Sequence, residues 1–282
     1  MSKTKKILIF LAFSAVLWLL IAGWGFLSGR QGSSVDPIYN DIINATELDA
    51  SFVYEYEGEA DDLSGTVHGV ILPSPSSNSA MTARTMAALS KKVDSKLVMV
   101  VSFAEDLDHD VVSSWYDWQT PFGIVQVNGA AISHLLEQGT VTDGKSVKKA
   151  TDIADFMPYF SYYFPDKRVV PVVFDSSVGI DYVKDFMTRV SWYGDGYFAV
   201  FLTPEQPMDQ ALFSSDPEVL ANAFGNAEYT DIGGTIAPVE MAELNGIRRL
   251  LQYDGNTVLK VMTDPSANPV DFDEIAVIYG KE

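Results

Sequence analysis

The sequence has no cysteine. Disulfides, thiolate zinc sites and cysteine nucleophiles are therefore excluded. Histidine is almost as scarce: His68, His109 and His134 are the only three in 282 residues. A mononuclear catalytic metal needs about three N or O ligands converging on one point. Nothing in the spacing of these histidines brings them together, and each reads as a surface or half-buried side chain. Basic residues are also few, 19 against 38 acidic ones, for a formal charge of −19. Such a surface repels nucleic acid and anionic lipid headgroups. Glycine-rich phosphate loops are missing, because Gly233-Gly234 and Gly194-Asp195-Gly196 are short turns with no Lys-Ser/Thr after them. Ser74 and Ser76 lack a histidine base, so a hydrolase triad has no support.

What the chain does have, near its start, is one long apolar run. Residues 7–27 (Ile7 to Leu27) are broken only by Ser14, Gly23 and Gly25. As a helix this run reaches about 30 Å, the thickness of a bilayer hydrocarbon core. Trp24 near its end suits an interfacial anchor. Lys3, Lys5 and Lys6 precede the run and only Arg30 follows closely. The positive-inside rule then keeps residues 1–6 in the cytoplasm and sends the rest across. A cleaved signal peptide is the rival reading. The run is longer than the usual 7–15 residue signal core and has no clean small-x-small cleavage site. The expectation is a single-pass cell-membrane protein with an extracytoplasmic C-terminal domain. None of the acidic residues precedes Asp36, so the exported part is the acidic part, which favours solubility.

Residues 28–60 read as a linker and N-terminal extension, opening with the Gly/Ser-rich stretch Ser28 to Ser34. From residue 61 to 282, β-branched apolar runs alternate with amphipathic stretches. Strands are predicted at His68 to Leu72, Leu97 to Val101, Ile124 to Val127, Val169 to Phe174, Tyr197 to Leu202, Val258 to Met262 and Ile275 to Tyr279. Helices are predicted at Ser79 to Lys92, capped by Asn78 or Ser79, and at Ala130 to Gln138, Val147 to Phe164, Asp181 to Trp192 and Pro238 to Leu251. Near-continuous apolar strands belong in sheets covered on both faces. The predicted class is α/β: three layers around a central, largely parallel sheet, preceded by the transmembrane helix.

One segment is more specific. Trp118-Gln119-Thr120-Pro121-Phe122-Gly123-Ile124-Val125-Gln126-Val127 resembles the W-x-T-P-L-G-x-V-x-V signature of the Memo family, also called AmmeMemoRadiSam system protein B, whose fold is like that of the class III extradiol dioxygenases. Other pieces stand in matching order. Gly69 to Pro73 resembles the strand before the family's P-H-A-G-Y loop, Met157 to Pro165 its Q-L-P-F-L helix, Arg168 to Val173 its I-V-P-I-L strand, and Ile275 to Gly280 its closing strand. The resemblance implies a histidine-ligated metal site, yet this sequence departs from it at each expected ligand. Ser74 stands at the histidine position of the first loop and Glu105 near that of the second. Thr151 and Ala154 replace the histidine and glutamate of the H-S-x-E stretch, and Glu205-Gln206 occupy the S-D-L-S-H loop.

The resemblance therefore implies a degenerate, non-catalytic member acting as a ligand- or protein-binding module. No catalytic residue, metal or cofactor is expected. The candidate pocket comprises Ser74, Ser76, Glu105, Glu205 and Gln206, for an unknown protein or small molecule. The alternative is a metal-dependent enzyme with a rebuilt carboxylate site around Glu105 and Glu205, with His109 as a further candidate ligand. The aromatic run from Tyr159 to Phe164 reads as core packing.

Overall fold

A computed structural model describes residues 63–191, 196–203, 250–263 and 274–282. The apolar run at 7–27, the linker at 28–60, most of the helix predicted at Pro238 to Leu251, and Glu205 and Gln206 lie outside them. Among the described residues no helix is long and apolar enough to cross a membrane.

Four parallel strands form the centre. In chain order they are β1 (Thr66–Pro73), β2 (Leu97–Ala104), β7 (Arg168–Asp175) and β8 (Phe198–Thr203). Side by side they run β7, β2, β8, β1. Strands β2, β7 and β8 are almost wholly buried, and β1 is buried from Gly69 onward, as the near-continuous apolar runs anticipate for strands covered on both faces. Antiparallel strands extend the sheet on either side. Beyond β1 lie β10 (Ile275–Lys281) and then β9 (Thr257–Thr263). Beyond β7 lies β3 (Val111–Ser113), with β6 (Val141–Thr142) parallel to it at the edge. The fold is thus mixed α/β with a large, mostly parallel central sheet.

Alternation along each strand sorts side chains between two cores. On β2, Met99, Val101 and Phe103 face one core with α2 (Gly129–Glu137) and α5 (Ile180–Val190). Val98 and Val100 face the other with α1 (Ser79–Ser90) and α4 (Thr151–Tyr163). Helix α1 starts where expected: the Asn78 side chain accepts from Met81 N at 2.9 Å, satisfying one orphan N–H of the first turn. Phe174 is fully buried and packs edge-on against Phe186 and Tyr182 and stacked against Phe103. Each such side chain contributes about 1.5–3 kcal/mol from burial alone.

Four local expectations change. The strand predicted over Ile124 to Val127 is instead part of a hairpin, β4 (Trp118–Thr120) with β5 (Gly123–Val125), forming a two-stranded sheet of its own. Its turn holds Gly123 at φ +127°, a conformation that suits glycine. The single helix predicted over Val147 to Phe164 is two, α3 (Gly144–Val147) and α4. Asp143 caps α3 through Lys145 N at 2.9 Å, and the chain turns between the two helices. Strands β3 and β6 carry too few residues for a periodicity to show. Finally, the aromatic run divides: Tyr159, Phe160 and Phe164 are buried, while Tyr162 packs edge-on against the exposed Phe122.

Close packing also fixes one glycine. A Cβ on Gly69 of β1 would stand 2.2 Å from Tyr279 Oη and 2.4 Å from the Ala199 carbonyl. Tyr279 Oη in turn shares a 2.7 Å hydrogen bond with Tyr253 Oη in the core. Burial pushes the pKa of both phenols well above the usual tyrosine range, so both stay neutral donor–acceptors.

Candidate functional site

In open α/β sheets ligands bind outside the carboxyl ends of the parallel strands. Here those ends are Pro73, Ala104, Asp175 and Thr203. The chain crosses directly from β1 into Ser74, whose backbone N–H donates to the Thr203 carbonyl at 2.8 Å. Thr203 Oγ1 donates back to the Leu72 carbonyl at 3.1 Å. The ends of β1 and β8 are thereby laced together.

Ser74 itself is fully buried. Its hydroxyl donates to Asp152 Oδ1 at 2.7 Å, and Ser102 Oγ, from β2, donates to Asp152 Oδ2 at 3.3 Å. Ser74 has spent its only proton on the carboxylate, so in its 2.7 Å contact with Ser76 Oγ Ser76 is the donor. Asp152 sits in the first turn of α4, where the helix dipole favours a negative charge. A buried carboxylate is tolerated when hydroxyls satisfy it. The result is a hydroxyl–carboxylate knot joining β1, β2 and α4.

Sequence reasoning did not single out Asp152. It lies between Thr151 and Ala154, the two positions noted as departures from the H-S-x-E stretch. The available signal was an acidic residue in an otherwise apolar helix face, but acidic residues are common throughout this chain.

The other candidates are placed differently. Ser76 is exposed and meets Ser74. Glu105 is exposed in the loop after β2, and no hydrogen bond joins it to Ser74 or Ser76 among the described residues. That loop is held from outside. Lys149 Nζ donates to the Asp106 carbonyl, Asp106 adopts φ +56°, and Asp175 Oδ2 accepts from Leu107 N at 2.8 Å. Burial pushes the Asp175 carboxyl up. The Ser177 hydroxyl, the N–H groups of Leu107 and Ser177 and the Lys149 charge outweigh it, leaving the group more acidic than usual.

The three histidines stand apart in the structure. His68 lies near the start of β1 and bonds Asn256. His109 is exposed in the loop after β2, and His134 lies on α2 beside Glu137 at 3.8 Å. Among the described residues no group of three His, Asp or Glu side chains is placed to hold a metal ion. Glu205 is not among those residues.

No family model matches the chain, and no curated protein does. Among solved structures it is similar to the crystal structure of the uncharacterized protein JW3007 from Escherichia coli K12. The identity is 12%, the TM-score 0.39, and the alignment covers 75% of this chain and 97% of that one.

Proposed function

We propose that the chain is a membrane-anchored, extracytoplasmic domain of Memo-like, class III dioxygenase-like three-layer fold that binds a ligand or a protein and does no chemistry. One observation carries this reading. Ser74, at the position where the resembled motif has a histidine, is buried with its hydroxyl committed to Asp152. A serine hydroxyl in that state has no lone-pair role comparable to an imidazole nitrogen at a transition metal. The knot that replaces the ligand keeps the scaffold closed at the ends of β1 and β2. Exposed Ser76 and Glu105, with Glu205 and Gln206, which follow β8 in sequence, are the residues proposed to meet the partner. Residues 7–27 supply the membrane anchor.

The test is metal content by mass spectrometry on the full chain in detergent, purified without a chelating tag. The binding-module reading expects less than about a tenth of an equivalent, with no uptake of added Fe, Zn, Mn, Ca or Mg, since an intact site holds one ion tightly. A value close to one equivalent, lost in Glu105→Ala or Glu205→Ala, would establish the rebuilt carboxylate enzyme site instead.

A further inference from the structure

A sizeable open space lies at the opposite end of the sheet. A cavity of about 640 Å³ opens at the amino ends of β1, β2 and β8, lined in part by His68, Lys92, Asp94, Tyr197 and Asp254. That volume is typical of a small-molecule site.

Its histidine is held in one tautomer. Asn256, buried, donates from Nδ2 to the Tyr253 carbonyl at 2.9 Å, which fixes the orientation of its amide. Its Oδ1 therefore faces His68 Nδ1 at 2.7 Å, and an amide oxygen only accepts. Nδ1 must carry the proton, and Nε2 is left as the ring's remaining polar atom. A second residue dedicated to orienting an imidazole is how proteins present that ring to a ligand.

The other polar groups of the lining divide into spent and unspent. Tyr197 Oη donates to the Met187 carbonyl, and Asp254 Oδ2 pairs with Lys281 Nζ at 3.1 Å. Lys167 Nζ, beneath the loop before β2, is committed to the carbonyls of Val93 and Ser95 at 2.7 and 2.6 Å. His68 Nε2, the Lys92 ammonium and the Asp94 carboxylate have no hydrogen-bond partner among the described residues, although Asp94 also attracts the Lys167 ammonium electrostatically. The unspent groups thus include one fixed positive charge, one fixed negative charge and a pre-oriented imidazole, beside the apolar ring of Tyr197.

We propose that this cavity binds a zwitterionic small molecule of the amino-acid or short-peptide class. Its carboxylate is taken by Lys92 and His68, its ammonium by Asp94, and its side chain lies along Tyr197. A purely anionic ligand would meet Asp94 and Asp254 at close range, and a purely cationic one would meet Lys92. The proposal does not depend on the carboxyl-end reading, because metal content does not report on this cavity.

The experiment is isothermal titration of the full chain in detergent with glycine, alanine, glutamate, arginine, phenylalanine and alanyl-alanine. N-acetylalanine and alaninamide, each lacking one charge, are the paired controls. The expected result is saturable binding of at least one zwitterion, weakened at least about tenfold in its N-blocked or amidated form and in Lys92→Glu. His68→Ala should weaken it similarly, and Asn256→Ala should weaken it less, since it removes only the orientation of the ring. Lys92→Glu keeps the test decisive if the His68 variant fails to fold, because the Lys92 side chain makes no hydrogen bond among the described residues and its backbone bond to the Leu89 carbonyl survives the substitution. Absence of binding by every probe, equal binding of the blocked forms, or binding unchanged in Lys92→Glu and His68→Ala would overturn it.

Discussion

Ser74 Oγ donates a 2.7 Å hydrogen bond to Asp152 Oδ1, tying the residue after β1 to the first turn of α4 across 78 positions of sequence. Removing the carboxylate strands the Ser102 hydroxyl and leaves Ser74 only its contact with Ser76 Oγ. Each buried unsatisfied group costs about 1–3 kcal/mol. Asp152→Ala should therefore lower the urea midpoint by an amount equivalent to about 1–3 kcal/mol. The double variant Ser74→Ala/Asp152→Ala should lose less than the sum of the two single variants, since both break one bond. Strict additivity would mean the knot is not a coupled unit.

Phe174 and Phe122 are chemically alike but differ in burial, 0% against 46% exposed. Phe174→Ala opens a cavity among Phe103, Tyr182 and Phe186, and should cost about 3–5 kcal/mol. Phe122→Ala loses mainly its contact with Tyr162 and should cost less than about 1 kcal/mol. Chemical denaturation of both proteins side by side gives the comparison. Similar losses would contradict the placement of the hairpin tip at the surface.

Acid should remove a specific contribution at Asp175. Its folded pKa lies below the ordinary aspartate value of 3.8, so the unfolded chain takes up the proton first. The stabilisation is complete above that ordinary value and declines as pH falls through the range between it and the lower folded one. The stability difference between the native chain and Asp175→Asn should stay constant near neutrality and shrink below about pH 4. Urea midpoints at several pH values would check this, and a difference that grows on acidification would refute it.

The lack of cysteine makes topology directly measurable. Glu105→Cys places a single thiol on an exposed loop position. In intact cells a membrane-impermeant maleimide should label it, and a cysteine placed before residue 7 should react only after lysis. The reverse pattern would place the acidic domain in the cytoplasm and end the anchored-exterior reading.

The major strands were legible because burial on both faces demands unbroken apolar runs, as in Leu97 to Val101 and Val169 to Phe174. The helix over Ser79 to Ser90 was legible because Asn78 supplies a local cap. The hairpin at Trp118 to Val125 was not, since three-residue strands leave no periodicity to read. The break before Thr151 was missed because the apolar pattern continues across it. Among the candidate residues, Ser74 and Ser76 do meet, but neither the burial of Ser74 nor its partner Asp152 can be read from spacing.

The sequence by itself determined the absence of thiol chemistry, the scarcity of imidazole, the acidic balance and the alternation of strands and helices. These follow from residue identity and local periodicity, which need no long-range contact. The tertiary structure alone decided the strand order, the knot at Asp152 and the cavity around His68. Each joins residues remote in the chain, 78 positions apart for Ser74 and Asp152 and 188 for His68 and Asn256. Hydrogen bonds act over about 3 Å, and only the folded chain brings such pairs within that reach.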